Sequence, residues 1–264
     1  MDLINADPPA PLEKIALLFS GGLDSTLEAV ERFKQYKSVL LVTFNNGYCI
    51  NIGAARRRVA ELGRHYGSQR ITHKIVNTAP LMKELLKEHD RLWEKYRSPL
   101  IVDLACKMAG VTELIFAAKE NDIVDISDGS SHEQNEIFIQ QPEFSDHIKI
   151  DVTEYGLRFL RPAMFDLGRI EKKEQLDIHG LKSGTQALER IHVTGTLFQQ
   201  PFCLRGIITF FFTSPIRHLS VSKKYALPTD RAMEAWDELW PIAKIYLNKK
   251  LAESGIENAS AEKS

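Results

Sequence analysis

The sequence has almost no net charge: 34 Lys and Arg stand against 35 Asp and Glu, a formal −1 over 264 residues. No whole-chain basic field therefore marks nucleic acid as a partner, although a local patch remains open. Long apolar runs are also missing. The longest kind, "GIITFFF" from Gly206 to Phe212, falls well short of the roughly 18 residues a membrane span needs. The first residues, "MDLINADPPAPLEK", are acidic and Pro-rich with no apolar core, which is not the pattern of a signal peptide. A cytoplasmic protein with no membrane partner is the expectation. Cysteine is scarce: Cys49, Cys106 and Cys203 cannot all pair with one another, and a reducing compartment disfavours structural disulfides. If they matter, they matter as thiols or ligands. No internal repeat is present.

What is there is an ordinary globular composition, 44% hydrophobic and 26% charged, enough for one large domain or one domain with an appendage. Lys14 to Phe19 is continuously apolar after its first residue, as a parallel strand covered on both faces must be. A helix follows from Leu23 to Gln35, with Leu23, Leu27, Val30 and Phe33 at helical spacing. Ser38 to Phe44 predicts a second strand, Ala54 to Tyr66 a second helix, and Ile71 to Val76 a third strand. This alternation predicts right-handed crossovers and an α/β, doubly wound, mostly parallel five-stranded sheet. Residues 80–97 predict extra helix, Ile101 to Asn121 a further helix, and Ile123 to Ser127 a fourth strand. "HIKIDVT", residues 147–153, alternates like a fifth strand, and a helix ends at Gly180. Residues 182–228 read as irregular. Asp230 then caps a helix carrying Met233, Trp236, Trp240 and Tyr246, with an interruption at Pro241. The expected organisation is a flexible segment 1–13, a main domain 14–180, a C-terminal loop and helical extension 181–254, and a polar tail 255–264.

The informative stretch is "LLFSGGLDSTLEAV", Leu17 to Val30. Two successive glycines at the end of a buried strand let the backbone turn and expose N–H groups, and the following helix points its positive end at the same spot. That is an anion cradle at the carboxyl edge of the sheet, where open α/β proteins bind ligands. It lacks the lysine of a GxxxxGKS/T loop and the spacing of GxGxxG, which excludes GTPase-type and dinucleotide-type readings. Asp24 discriminates further. A carboxylate inside a phosphate cradle would repel the ligand unless Mg²⁺ bridges them.

"SGGLDS", Ser20 to Ser25, resembles the pyrophosphate loop of the PP-loop ATP pyrophosphatases, the group containing tRNA thiolation enzymes, the 7-cyano-7-deazaguanine synthases and the synthetases of NAD and GMP. The resemblance, extending over residues 14 to 180, implies ATP cleavage between the α and β phosphates and an adenylated substrate. It implies that Ser20, Gly21, Gly22 and Ser25 hold the pyrophosphate and that Asp24 holds Mg²⁺. Thr43 and Phe44 occupy the place where such proteins hold adenine against backbone groups. "SDGSS", Ser127 to Ser131, resembles the second loop, closing over the α-phosphate with Asp128 and Gly129. Lys172 matches a lysine that approaches phosphate, and reads also as a solvated helix-face residue.

Subfamilies differ in the nucleophile that follows adenylation. Asp103 and Cys106, in "DLAC", are similar to the D-x-x-C signature of tRNA 2-thiouridine synthases, and Cys203 lies 97 residues further on, where a second cysteine is expected. A thiolate at a helix N-terminus suits a persulfide carrier or a cluster ligand, while Cys106 beside Leu104, Ala105 and Met108 also reads as a small buried hydrophobe. Cys49, after the second strand, would complete a three-thiolate set for a 4Fe–4S cluster. "CLRGIITFF" is similar to the tail of 7-cyano-7-deazaguanine synthases, whose four-Cys zinc site is reduced here to Cys203. Sulfur transfer to a carbonyl, fed by a sulfur-donor protein, is the resulting expectation. A ligase forming an amide or nitrile and an ATP-binding regulator without turnover are the alternatives. Arg56, Arg57 and Arg58 suit RNA phosphates or a solvated helix face, so the acceptor is tRNA or a small heterocycle or carboxylate. The late aromatics Trp236, Trp240 and Tyr246 read as core, base-stacking groups or a homodimer interface.

Overall fold

The computed structural model describes residues 12–50, 52–130, 141–181, 202–203 and 227–256. In chain order these form β1 (Leu12–Leu18), α1 (Leu23–Gln35), β2 (Tyr36–Asn45), β3 (Cys49–Ile50), α2 (Gly53–Tyr66), β4 (Ile71–Asn77), α3 (Ala79–Leu85), α4 (His89–Tyr96) and α5 (Ile101–Glu120). There follow β5 (Asp125–Ser127), α6 (Pro142–Thr153), β6 (Arg158–Leu160), α7 (Arg169–Ile178), β7 (Phe202–Cys203) and α8 (Thr229–Glu253).

Five strands make one sheet in the order β4-β2-β1-β5-β6, and every pair is parallel. The expected α/β doubly wound architecture is thus present. Its physical basis is visible in β1 and β2, whose alternate residues feed two separate cores. Ala16, Leu18, Leu40 and Val42 face the helices α3 to α6 and α8, whereas Ile15, Leu17, Phe19, Val39 and Leu41 face α1, α2 and α7. A strand covered on both sides has no polar face to show, hence its unbroken apolar run.

Three elements depart from the sequence reading. "HIKIDVT" is not a strand but the second half of α6. Its alternation placed Ile148, Ile150 and Val152 on one face, yet the buried set is Phe144, Ile148 and Val152, a helical i, i+4, i+8 stripe, and Ile150 is 65% exposed. Pro142 in the first turn is the start signal that decides for helix. The fifth strand is instead β6, and it pairs with β5 through Asp125 and Arg158, Ile126 and Phe159, and Ser127 and Leu160. Nor does Pro241 interrupt the last helix. α8 runs through it because the ring lies on the exposed side while Leu239, Trp240, Ala243 and Leu247 on the other side are buried. β3 and β7 form a separate antiparallel ribbon that the sequence did not suggest. Residues 182–201 and 204–226, expected to be irregular, lie outside the described residues.

Candidate active site

The chain lays down β1, β2 and β4 toward one edge and then returns to place β5 and β6 on the other side of β1. The order therefore reverses between β1 and β5, and their carboxyl ends flank a crevice. Both glycine-containing loops leave from there: Leu17 is in register with Ser127.

The first loop is curled by its own hydroxyls. Ser20 Oγ lies 3.1 Å from Ser25 Oγ and accepts the Gly22 N–H at 3.2 Å, while the Ser20 N–H donates to Ser25 Oγ at 3.3 Å. Gly21 has φ +75°, the left-handed region, and a Cβ there would sit 3.0 Å from Ala55 Cα on α2. Gly22 caps α1 with no side-chain hydrogen bond, so the first N–H groups of α1, which have no carbonyl a turn earlier, face the crevice.

The second loop presses against the first. A Cβ on Gly129 would meet Ser25 Cα and N at 2.7 Å, so this residue has to be glycine for the two backbones to touch. Its neighbour Asp128 is buried and held by Lys107, the Ser130 N–H (2.9 Å) and Ser130 Oγ (2.9 Å). Burial pushes the Asp128 carboxyl up, but the Lys107 ammonium and these hydrogen bonds outweigh it and hold the group below the usual carboxylate range. The Asp128 side chain is thus a strut for its loop, and the backbone at Gly129 is the part that meets the cradle. Underneath lies Glu28. Its carboxylate accepts from Arg32 Nε (2.7 Å), Ser127 Oγ (2.7 Å) and the Ala163 N–H (2.7 Å), and Arg32 also donates to the Arg161 carbonyl at 2.8 Å. Burial raises the Glu28 carboxyl against the pull of Arg32.

α7 supplies Lys172. Its side chain is fully buried against α1 and its Nζ donates to Asp24 Oδ1 at 2.8 Å, so it is not a solvated helix-face lysine. Asp24 itself is 38% exposed. One carboxylate beside the hydroxyls of Ser20 and Ser25 is an all-oxygen donor set, which fits Mg²⁺ bridging phosphates. At the end of β2, Thr43 Oγ1 donates to the Phe19 carbonyl at 2.6 Å and so must accept from His73 Nε2 at 2.9 Å, fixing the Nε2–H tautomer. Burial, then the nearby Arg56 charge, lowers the His73 pKa. β2 runs on past its last pairing with β1 at Val42, to Asn45. The Phe44 ring packs on α5, where a Cβ at Gly110 would approach it to 3.1 Å.

The cysteines gather at the same end of the sheet. Cys49 Sγ donates to Asn46 Oδ1 at 3.2 Å, Asn46 Nδ2 donates to Cys106 Sγ at 3.2 Å, and Cys49 is the register partner of Cys203 across the β3–β7 ribbon. The side chain of Cys203 lies outside the described residues. Among the described residues no group of three or more His, Cys, Asp and Glu is placed to hold a metal; the expected three-thiolate set includes Cys203 and so is not tested by them. Cys106 sits in the second turn of α5 rather than at its first N–H groups. Asp103, one turn earlier and half-buried, is pushed up to about 7 by burial. Arg58 pairs with Glu61 at 2.6 Å. Trp236 and Trp240 belong to the core, and no helix among the described residues is long and apolar enough to cross a membrane.

Asn46, Glu28 and Lys107 were not anticipated. The sequence marks Asn46 only as part of a turn, "NNG", and the other two as ordinary helical charges.

Comparison with known proteins finds no matching family model and no matching curated protein. Among solved structures, a predicted subunit of tRNA methyltransferase from Methanocaldococcus jannaschii is 18% identical with a TM-score of 0.37, over 65% of this chain and 90% of that one. A 4-thiouridine synthetase, solved as an RNA complex with bound ATP, is 18% identical with a TM-score of 0.46; the match covers 89% of this chain but only 53% of that one. NMN synthetase from Francisella tularensis is 14% identical with a TM-score of 0.45, over 88% of this chain and 87% of that one. The functional reading therefore rests on the site itself.

Proposed function

We propose that this chain is a PP-loop ATP pyrophosphatase that adenylates a carbonyl oxygen with ATP and Mg²⁺, releasing pyrophosphate, and then exchanges that oxygen for sulfur. The observation that carries the first half is the contact of Gly129 with the first turn of α1. Two loops from opposite sides of the switch point meet backbone to backbone, with Asp24 and Lys172 beside them. Such a junction presents N–H groups and hydroxyls with no side chain in the way, which is what a triphosphate requires.

In this reading the N–H groups and hydroxyls of the Ser20 to Ser25 loop hold the β and γ phosphates. Asp24 takes the metal, and Lys172 both orients Asp24 and adds positive charge. The Gly129 backbone lies along the α phosphate, and the end of β2 at Thr43 and Phe44 takes the adenine. The acceptor oxygen attacks the α phosphorus and the bond to the β-phosphate oxygen breaks. A sulfur nucleophile then adds to the activated carbon, and AMP leaves with the original oxygen. The thiols support sulfur as that nucleophile. Cys106 precedes Lys107, which reaches Asp128 and Ser130 in the second loop, so the thiol cluster borders the adenylation crevice. A persulfide-bearing donor protein would pass its outer sulfur to the Cys106 thiolate and keep its own thiol. After that sulfur displaces AMP, the Cys203 thiolate would take the Cys106 sulfur as a disulfide, freeing the thiolated product, and an external thiol would reduce the disulfide; a tRNA base or a small heterocycle would be the acceptor.

The test is product analysis with α-labelled ATP, Mg²⁺, sulfide and bulk tRNA as acceptor. AMP and pyrophosphate are expected, and Asp24→Asn should abolish both. ADP and orthophosphate would sink the assignment. AMP and pyrophosphate without sulfur in the product would favour the ligase alternative, and binding with no turnover on any acceptor the regulatory one.

A further inference from the structure

Asn46 is 2% exposed, and a buried amide must satisfy its donors and acceptor locally. Its orientation is not a free choice. The backbone N–H of Tyr48, which can only donate, reaches Asn46 Oδ1 at 2.9 Å, so the amide oxygen faces Tyr48 and Cys49 and the NH₂ group faces Cys106. The two sulfurs are therefore not equivalent. Cys106 Sγ receives an N–H at 3.2 Å, an interaction that favours a sulfur carrying negative charge. Cys49 Sγ faces two acceptors, Asn46 Oδ1 at 3.2 Å and the Phe44 carbonyl at 3.8 Å, and either contact is attractive only while the S–H proton remains.

We propose that Asn46 is a positioning residue that gives the two cysteines different roles, with Cys106 as the sulfur nucleophile of the site and Cys49 as its proton-bearing neighbour. The charged groups nearest in the chain are consistent with this division. Lys107, next to Cys106, is turned toward Asp128 and Ser130, while the Asn46 amide donates to the Cys106 sulfur. Asp103, one turn before, is raised to about 7 by burial, so near neutrality it carries less negative charge beside the thiol than an ordinary carboxylate. The proposal deepens the sulfur-transfer reading and rests on it for its biological use. The inequality of the two thiols does not depend on ATP or acceptor, so its failure and the failure of that reading can be told apart.

The experiment is a rate measurement on the full chain, purified without oxygen, with neither ATP nor acceptor present. Thiolate displaces iodide from limiting iodoacetamide, forming a thioether, and labelled peptides are quantified separately by mass spectrometry. Cys106 should be alkylated at least about tenfold faster than Cys49, the scale of one hydrogen bond to a charged acceptor. Asn46→Asp keeps the acceptor for Tyr48 and Cys49 but removes the donor. It should slow Cys106 by about the same factor while Mg²⁺-ATP affinity stays near that of the wild type. Equal or faster labelling of Cys49, no labelling of Cys106, or an unchanged Cys106 rate in folded Asn46→Asp would each overturn the proposal. So would stoichiometric iron and acid-labile sulfide, because a cluster held by all three cysteines needs Cys49 as a thiolate. Should Asn46→Asp fail to fold, the wild-type order of rates decides alone.

Discussion

The glycine at 129 has an ordinary backbone conformation, so its requirement comes from space alone: a side chain there would overlap the backbone of Ser25. Gly129→Ala should push the second loop off α1, costing roughly 1–3 kcal/mol by overpacking and abolishing ATP binding by titration calorimetry. Binding at wild-type affinity would show that the junction is not the phosphate site. Asp103 yields a different prediction, because its carboxyl is raised by burial from an ordinary value of 3.8 to about 7. A raised acid favours the fold while protonated, so this contribution is complete below about pH 4 and is lost as pH rises through about 7. Asp103→Asn, which cannot ionise, should match the wild type in acid and become the more stable protein by up to a few kcal/mol above neutrality. Urea midpoints across this range measure the difference, and a constant offset would contradict the assignment. At this scale the sequence was legible wherever the chemistry is local. "SGGLDS" announces its own turn, because Ser20 bonds Ser25 only five residues away. Asn46 and Glu28 find partners 60 and 99 residues off, at Cys106 and Ser127, and no local pattern encodes that.

Elements were legible when one periodicity dominated. β1 and β2 are apolar for geometric reasons that their neighbours do not alter, and α1 shows its buried stripe openly. α6 failed because Ile148, Ile150 and Val152 satisfy both a period of two and, in part, a period of 3.6; Phe144, three residues upstream of the quoted stretch, breaks the tie. α8 presents the opposite case, a helix whose proline suggested a break but whose packing prevents one. Trp236 is its anchor, fully buried, donating Nε1–H to Asp151 at 2.7 Å, edge-on to Phe144 at 5.5 Å and stacked on Trp240 at 6.2 Å. Trp236→Ala should therefore destabilise the whole chain by about 3–5 kcal/mol and leave Asp151 without its indole donor. Chemical denaturation monitored by far-UV circular dichroism tests this. A change confined to the C-terminal helix would instead mark α8 as separable from the α5 face of the sheet.

For the molecule as a whole, the site draws on α1, α5 and α7 and on the loops after β1 and β5, segments spread from Ser20 to Lys172. A ligand that bridges them must stabilise the global fold. Mg²⁺-ATP at about a hundred times its dissociation constant should add about 2.7 kcal/mol, visible as a concentration-dependent rise in melting temperature that Asp24→Asn reduces. No rise with wild-type protein would remove ATP from the account. Glu28 determines what kind of binding this is. Its carboxylate holds α1, the end of β5 and the turn at Ala163 together inside the protein, so the floor beneath both loops is set when the chain folds. Little conformational entropy then remains for a nucleotide to remove there, and association should be governed by the approach of Mg²⁺-ATP to a standing receptor rather than limited by a folding step.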